Sequence, residues 1–228
     1  MNTRGLLLIF LMTMSFAVSA QTQPDANALV QEIIRRGNLV KSFEADVTVD
    51  VDVDFIKMPI KQGKIFYKAP DKFRFRAPGF ALVPKRGLNF SVMEMLSGPT
   101  TAVYTGSDDQ HHILKIIPLS DNADYVLSTF WVDMKSTRIA RMEVNTRGKG
   151  HFLVEFTYGN LSYDLPETSR VSFELQPIDI PMNFAGNFKI DPEKSKERSK
   201  GQVFIRYSNY KVNGAIPDAV FTEEQAGR

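Results

Sequence analysis

Between Phe43 and Phe55 apolar and polar residues alternate without a break. Phe43, Ala45, Val47, Val49, Val51, Val53 and Phe55 are apolar, while Glu44, Asp46, Thr48, Asp50, Asp52 and Asp54 are polar. Successive side chains of a strand point to opposite faces, so a period of two predicts one strand with a dry face and a wet face. Valine and phenylalanine suit a pleated surface, and no Pro or Gly interrupts the run. These 13 residues, at roughly 3.4 Å each, span about 44 Å. An ordinary strand has only about 5–6 residues. A strand of that length has to curve, and its apolar face has to be covered from end to end. The rest of the chain reads as the cover.

Ahead of the strand, residues 25–36 have the spacing of a short amphipathic helix. Asp25 or Asn27 caps it, Leu29, Ile33 and Val30 or Ile34 form the apolar stripe, and Arg35 and Arg36 sit at its negative end. Gly37 is the residue expected just past its C-terminus. After the strand, Lys57-Met58-Pro59 makes a turn and residues 60–67 return as a second strand. Lys61, Lys64 and Lys68 are expected to face the acidic residues of the first strand. A turn at 69–72 leads to Phe73-Arg74-Phe75-Arg76, which alternates again, so three antiparallel strands form a meander. Residues 77–97 break the pattern. Gly79–Pro84 is an apolar loop, and Ser91 and Glu94 have capping-box spacing ahead of Val92, Met93, Met95 and Leu96. This stretch reads as a mobile cover. Further strands are expected over 101–104, 112–117, 126–133, 138–145, 151–158, 170–175 and 202–212. A charged loop is expected at 191–200 and disorder at the C-terminal end. The expected architecture is α+β: one domain over 21–228, a helix followed by a large, mostly antiparallel sheet.

Residues 1–20 read as an export signal. Arg4 precedes an apolar run to Val18, and Val18-Ser19-Ala20 supplies the small residues for cleavage after Ala20. The other reading is a membrane anchor, but the run is short and lacks a stop-transfer flank. The chain has no cysteine. That excludes disulfides, thiolate chemistry and a lipid-accepting cysteine behind the signal. The natural compartment is the periplasm of a Gram-negative bacterium, with secretion as the alternative. A net charge of +2 gives no reason to expect a nucleic-acid partner.

Candidate chemistry is sparse. Of the three histidines, His111 and His112 are adjacent and point to opposite faces of a strand, and no HExxH spacing includes His151. Asp50, Asp52 and Asp54 share one strand face with neighbours about 6.8 Å apart, and they read as a solvated face rather than a calcium site. No GxSxG, P-loop or Rossmann fingerprint is present, and Gly148-x-Gly150 reads as a hairpin turn. No enzyme activity, cofactor or metal is expected. The collective signal is a concave apolar interior under a soft lid. Its expected wall is Phe43, Val47, Val49, Val51 and Phe55 from the first strand, with Ile65, Tyr67, Phe73 and Phe75 from the next two. Leu82, Met93 and Leu96 come from the cover, and Trp131 from a later strand.

One segment carries a family resemblance. Gly63-Lys64-Ile65-Phe66-Tyr67-Lys68-Ala69-Pro70-Asp71-Lys72-Phe73 follows an export signal, a short helix ending near Ser42-Phe43 and a long strand. In that order it resembles the LolA-like outer-membrane lipoprotein carriers and their relatives, which include periplasmic stress-sensor regulators. The resemblance implies an unclosed eleven-stranded half-barrel with short helices as its lid. It also implies an apolar cavity for the acyl chains of a lipoprotein or another lipid. Family carriers receive cargo from an inner-membrane transporter and pass it to an outer-membrane acceptor, and this chain is expected to act as a monomer. Those carriers have an arginine just before the motif proline, used in lid closure and transfer, where this chain has Ala69. The alternative is an envelope sensor that uses the same fold to bind a partner protein or a lipid signal.

Overall fold

The computed structural model describes residues 23–54, 56–57, 59–77, 92–147, 150–175, 189–190 and 199–222. The expected export signal, the 79–84 loop and most of the charged 191–200 loop lie outside them. The first helix, α1, spans Ala26–Gly37. The strands are β1 (Ser42–Val53), β2 (Ile56–Lys57), β3 (Lys61–Lys68), β4 (Lys72–Arg76), β5 (Thr100–Ser107), β6 (His111–Pro118), β7 (Tyr125–Asp133), β8 (Ile139–Thr146), β9 (Gly150–Thr157), β10 (Thr168–Leu175), β11 (Lys189–Ile190) and β12 (Ser199–Val212). Helix α2 is Val92–Ser97, and a short α3 is Ala219–Thr222.

One antiparallel sheet holds all twelve strands, in the order β11-β2-β1-β12-β10-β9-β8-β7-β6-β5, with β3 on β1 and β4 on β3. The ends of this order do not meet, so the sheet is an unclosed half-barrel. Two of the strands have only two residues each, which is how the count comes to exceed eleven. The long strand ends at Val53, and Asp54 already turns.

β1 is paired along its length. β12 runs against it from Phe43 opposite Val212 to Val53 opposite Gly201. On its other edge, Ser42–Val49 pair with β3 and Val53 pairs with β2. The β1–β12 register slips between Glu44 and Asp46. There Asn209 takes the left-handed conformation at φ 53°, as asparagine tolerates better than most residues. Its amide donates to Asp46 at 2.8 Å. This bulge brings Tyr210 into stacking contact with Tyr207, ring centroids 6.1 Å apart. In the motif segment, Gly63 is needed for close approach, because a Cβ there would lie 2.3 Å from the Arg76 carbonyl oxygen.

The wet side of β1 is solvated, with Asp50, Asp52 and Asp54 all exposed. Of the three lysines expected to meet its carboxylates, Lys64 does so, bonding Asp46 at 2.7 Å. Lys68 reaches Asp218 instead. Lys61 lies opposite Val49, on the apolar side, because its odd position has the other parity.

Helix α1 begins as expected, with the Asp25 side chain accepting from the Asn27 amide. It buries Ala26, Val30 and Ile33 against the sheet. Its last turn is clamped. Arg36 donates twice to Asp164 at 2.6 Å, and Arg138 donates to the same carboxylate at 2.9 Å and to the Leu161 carbonyl. Burial pushes the Asp164 carboxyl up, but the bonds from Arg36 and Arg138 outweigh it, so the group lies below the usual carboxylate range. A carboxylate depressed in the folded state stabilises the fold above its unfolded pKa, and that contribution is lost as pH falls through the folded value. The Asp164→Asn variant is expected to lose about 2–3 kcal/mol of stability, somewhat less than for a fully buried pair. Its thermal midpoint is also expected to fall less than the parent's between neutral pH and about pH 3. Thermal unfolding followed by circular dichroism at several pH values checks both outcomes.

Candidate functional site

The alternation of β1 continues across the sheet through strand register. Val47, Val49 and Val51 stand opposite Tyr207, Ile205 and Val203 of β12. Ile205 and Val203 stand opposite Ser169 and Val171 of β10, and Val171 opposite Val154 of β9. One apolar face therefore runs from β4 to β5, and its buried residues form two clusters.

Over β5–β10 it is closed. Phe130, Leu114, Ile116, Met142 and Val132 are fully buried there, and they form one core with Val30 and Ile33 of α1 and with Met95 and Leu96 of α2. The Tyr125 hydroxyl donates to the Met95 carbonyl at 3.1 Å, which fixes α2 to β7. Val51 packs against this core and Val53 belongs to it.

Over β4-β3-β1-β12 the same face forms a second cluster. Ala45, Val47, Ile65 and Phe75 are buried, with Phe43, Val49, Ala77, Ile205, Tyr207 and Tyr210 packed around them. None of these residues belongs to a helix. Aromatic rings border the cluster, with Phe43 5.4 Å from Tyr67 and 5.7 Å from Tyr210 between centroids. The phenols spend their hydroxyls on the protein: Tyr210 donates to the Pro166 carbonyl at 2.8 Å and Tyr67 to the Pro70 carbonyl at 3.3 Å. Burial pushes the phenols of Tyr67, Tyr207 and Tyr210 up, so they stay neutral at physiological pH. What the rings offer a ligand is hydrocarbon surface, and Lys61 is the cation that register places on this side. Such a wall can desolvate an alkyl chain. Among the described residues its lining is mostly hydrocarbon.

The expected wall residues separate into four sets. Val47, Ile65 and Phe75 are buried together in the second cluster, and Phe43 and Val49 pack against them. Tyr67 joins through Phe43, and Phe73, opposite Tyr67, is 41% exposed at the rim. Val51 and Leu96 belong with the closed core, and Met93 lies against Gly37, where a Cβ would come within 2.2 Å of its sulfur. Phe55 and Leu82 lie outside the described residues. Trp131 is a correction. Its neighbours Phe130 and Val132 take the core side, so alternation sends Trp131 to the opposite face, where the Arg141 guanidinium lies 3.7 Å over its ring. Ile205, Tyr207 and Tyr210 were absent from the expected wall. The spacing of Val203, Ile205 and Tyr207 was visible in the sequence, but the bulge that adds Tyr210 was not.

The histidines are dispersed. His111 contacts Asp108 at 2.9 Å, His112 faces the Tyr104 hydroxyl at 3.5 Å, and His151 meets Asn145. Among the described residues no group of three or more His, Asp or Glu could hold a metal ion.

No protein-family model and no curated protein matches the chain. Solved structures do. A LolA superfamily protein from Nitrosomonas europaea aligns with a TM-score of 0.55 at 12% identity, covering 88% of this chain and 98% of its own. A DUF1329 family protein from Desulfovibrio piger aligns with a TM-score of 0.55 at 11% identity, covering 86% and 96%. A domain assigned as an outer membrane lipoprotein-sorting protein from Vibrio parahaemolyticus gives 0.50 at 12%, covering 87% and 97%. The fold is LolA-like.

Two outcomes follow from the wall. Val49→Glu and Val51→Glu place a carboxylate among apolar side chains, and each is expected to abolish binding of a hydrophobic probe or to cost about 2–4 kcal/mol of stability. Asp50→Asn and Asp52→Asn on the solvated face are expected to change neither by more than about 0.5 kcal/mol. Probe titration and thermal melts of the four variants measure the contrast; silent valine changes with damaging aspartate changes would reverse the assigned faces. The second outcome uses the single tryptophan. Because Trp131 lies on the far face, its emission maximum is expected to stay put when a ligand fills the wall, and a clear blue shift would place it in the site.

Proposed function

We propose that this protein is a non-enzymatic periplasmic carrier that holds the acyl chains of a lipoprotein or another lipid on its concave wall. Cargo would be received at the inner membrane, from a transporter, and passed to an acceptor at the outer membrane. The export signal, cleaved after Ala20, would deliver the chain as a soluble single-domain monomer over 21–228. One observation carries this reading. The apolar face of the half-barrel is continuous, yet its β4-β3-β1-β12 half is roofed by none of the described helices. An aromatic-bordered apolar cluster on which no described helix packs is where an alkyl chain would be received.

The energetics suit a carrier. Each buried methylene contributes about 0.8 kcal/mol. Seating roughly ten methylenes on an open wall would give about 8 kcal/mol, close to micromolar holding. Burying several chains completely would make release too slow for transfer. Ala69 replaces the arginine that family carriers use at the lid, and it offers no guanidinium. Its backbone amide instead ties the β3–β4 turn to the Lys41 carbonyl at 2.8 Å.

The test uses the mature protein. A fluorescent hydrophobic probe is expected to bind with micromolar affinity and to be displaced by phospholipid or by a triacylated lipopeptide. Mass spectrometry of organic extracts from freshly purified protein is expected to find acyl lipid. Absence of both probe binding and extracted lipid would refute the carrier reading.

A further inference from the structure

The four strands that carry the second cluster are tied together on their convex side by the C-terminal stretch. β12 ends at Val212, and the chain then crosses the start of β1 and reaches β3 and β4. The root of this stretch is firmly held. Asn213 takes the left-handed conformation at φ 58°. Its backbone N–H donates to the Ser42 carbonyl at 2.7 Å. Its side chain accepts from the Lys41 amide at 2.7 Å and donates to the Leu39 carbonyl at 2.9 Å. The buried Ser42 hydroxyl donates to the Gly214 carbonyl at 2.6 Å.

The far end is held differently. Lys68 of β3 donates to the Ile216 carbonyl at 3.3 Å and to Asp218 at 2.7 Å. Lys72 of β4 meets the same carboxylate at 3.0 Å, and Arg76 donates to the Val220 carbonyl at 3.3 Å. Lys68 stands opposite Lys72 and Arg76 opposite Lys64, so these contacts share the convex face. The Asp218 side chain is 61% exposed, and the two lysines are 38% and 42% exposed. Ion pairs so open to water hold weakly, and no residue of α3 is buried. Between root and tip, residues 214–217 belong to no helix or strand. A Cβ at Gly214 would meet nothing within 4 Å. A fixed root, an open joint and a lightly held tip describe an element that lifts easily. What it reaches is β4, which pairs with β3 and with no other strand. β4 supplies Phe75 to the second cluster and Phe73 to its rim.

We propose that residues 216–222 are a release strap for the wall. Seated, the strap ties β4 to the end of β12 across the outside of the sheet, and Phe73 and Phe75 stay at the second cluster. Lifted about 214–217, it leaves β4 with its ladder to β3, and the rim swings outward to let an alkyl chain leave. Release from a closed site is limited by such an opening step. The strap deepens the carrier reading and rests on it, because it assigns the release step of that same site. A tail that only adds stability would protect the whole fold evenly and would leave the release rate alone.

Release rates and hydrogen exchange test it together. The mature protein is loaded with a fluorescent hydrophobic probe, and release into excess unlabelled fatty acid is followed by stopped flow. Asp218→Asn is expected to speed release about fivefold, the scale of lost exposed ion pairs. A chain ending at Ala215 is expected to release at least as fast. Lys200→Gln breaks the exposed Lys200–Glu174 pair elsewhere and is expected to change release less than about twofold. The chain has no cysteine, so Lys72→Cys combined with Asp218→Cys can be joined by a short thiol-reactive crosslinker. The joined form is expected to release more slowly than the parent. Without any ligand, amide exchange over residues 72–76 is expected to quicken in Asp218→Asn and in the shortened chain, while exchange over β6–β9 stays as in the parent. Unchanged release in both of those variants, a joined form as fast as the parent, or β4 exchange rising no more than that of β6–β9 would each overturn the strap. Those outcomes leave probe binding by the parent intact. A parent that binds no probe refutes the carrier reading instead, and the strap's role in release with it.

Discussion

The pairing of β1 with β12 is the constraint on which the rest of the structure depends. β1 carries an apolar residue at every second position, and that face has value only if the neighbouring strands present matching faces over the same length. β12, with 14 residues, is the other strand long enough to do so. It comes from the far end of the chain, and by lying between β1 and β10 it joins the N-terminal meander to the β5–β10 meander. The register then propagates the alternation across the sheet, because a slip of one residue would turn the whole apolar set towards water. The one slip in the β1–β12 pairing, near Asp46, is confined by Asn209, whose left-handed backbone and bond to Asp46 absorb the extra residue.

Much of this was legible in the sequence because it depends on local periodicity. β1, the β3–β4 hairpin, α1, α2 and each strand from β5 to β10 fall within a few residues of the expected ranges, since hydrophobic spacing and Gly or Pro punctuation mark them directly. What was lost depends on contacts across the chain. β2 and β11 are two residues long, too short for any pattern. Lys61 is expected to face the acidic residues of β1 together with Lys64 and Lys68, but its parity sets it on the other face. Trp131 is expected on the wall, but Phe130 and Val132 beside it already claim the core side. The wall residues of β12 were overlooked because no local signal says which strand a C-terminal segment will join. The resemblance carried by residues 63–73 pointed to the same LolA-like fold that the solved structures share.

Two hydrophobic clusters, only one of them packed on by described helices, divide this fold. The β5–β10 half, roofed by α1 and α2, supplies a conventional core and most of the hydrophobic stabilisation. Its helix α1 is held at one end by the Arg36–Asp164–Arg138 cluster and near the other by Gln23, which donates to the Tyr104 carbonyl. The β4-β3-β1-β12 half owes its order to strand pairing and to ring contacts along one edge. The C-terminal stretch folds back over that edge, where Asp218 holds Lys68 and Lys72 and Arg76 donates to the Val220 carbonyl. Under the proposed carrier reading, the first half would keep the fold while the second would hold an apolar chain and let it go.

Photolabelling bears most directly on whether that second half receives an alkyl chain. A diazirine-bearing fatty acid is incubated with the mature protein and irradiated, and the labelled residues are mapped by tandem mass spectrometry. Insertion is expected at the odd positions of β1, from Phe43 to Val49, and at Ile205, Tyr207 and Tyr210. The even positions of β1 and Trp131 are expected to stay unlabelled. Label spread over both faces of β1, or gathered on the convex face around Trp131, would contradict a ligand-binding wall on the concave side.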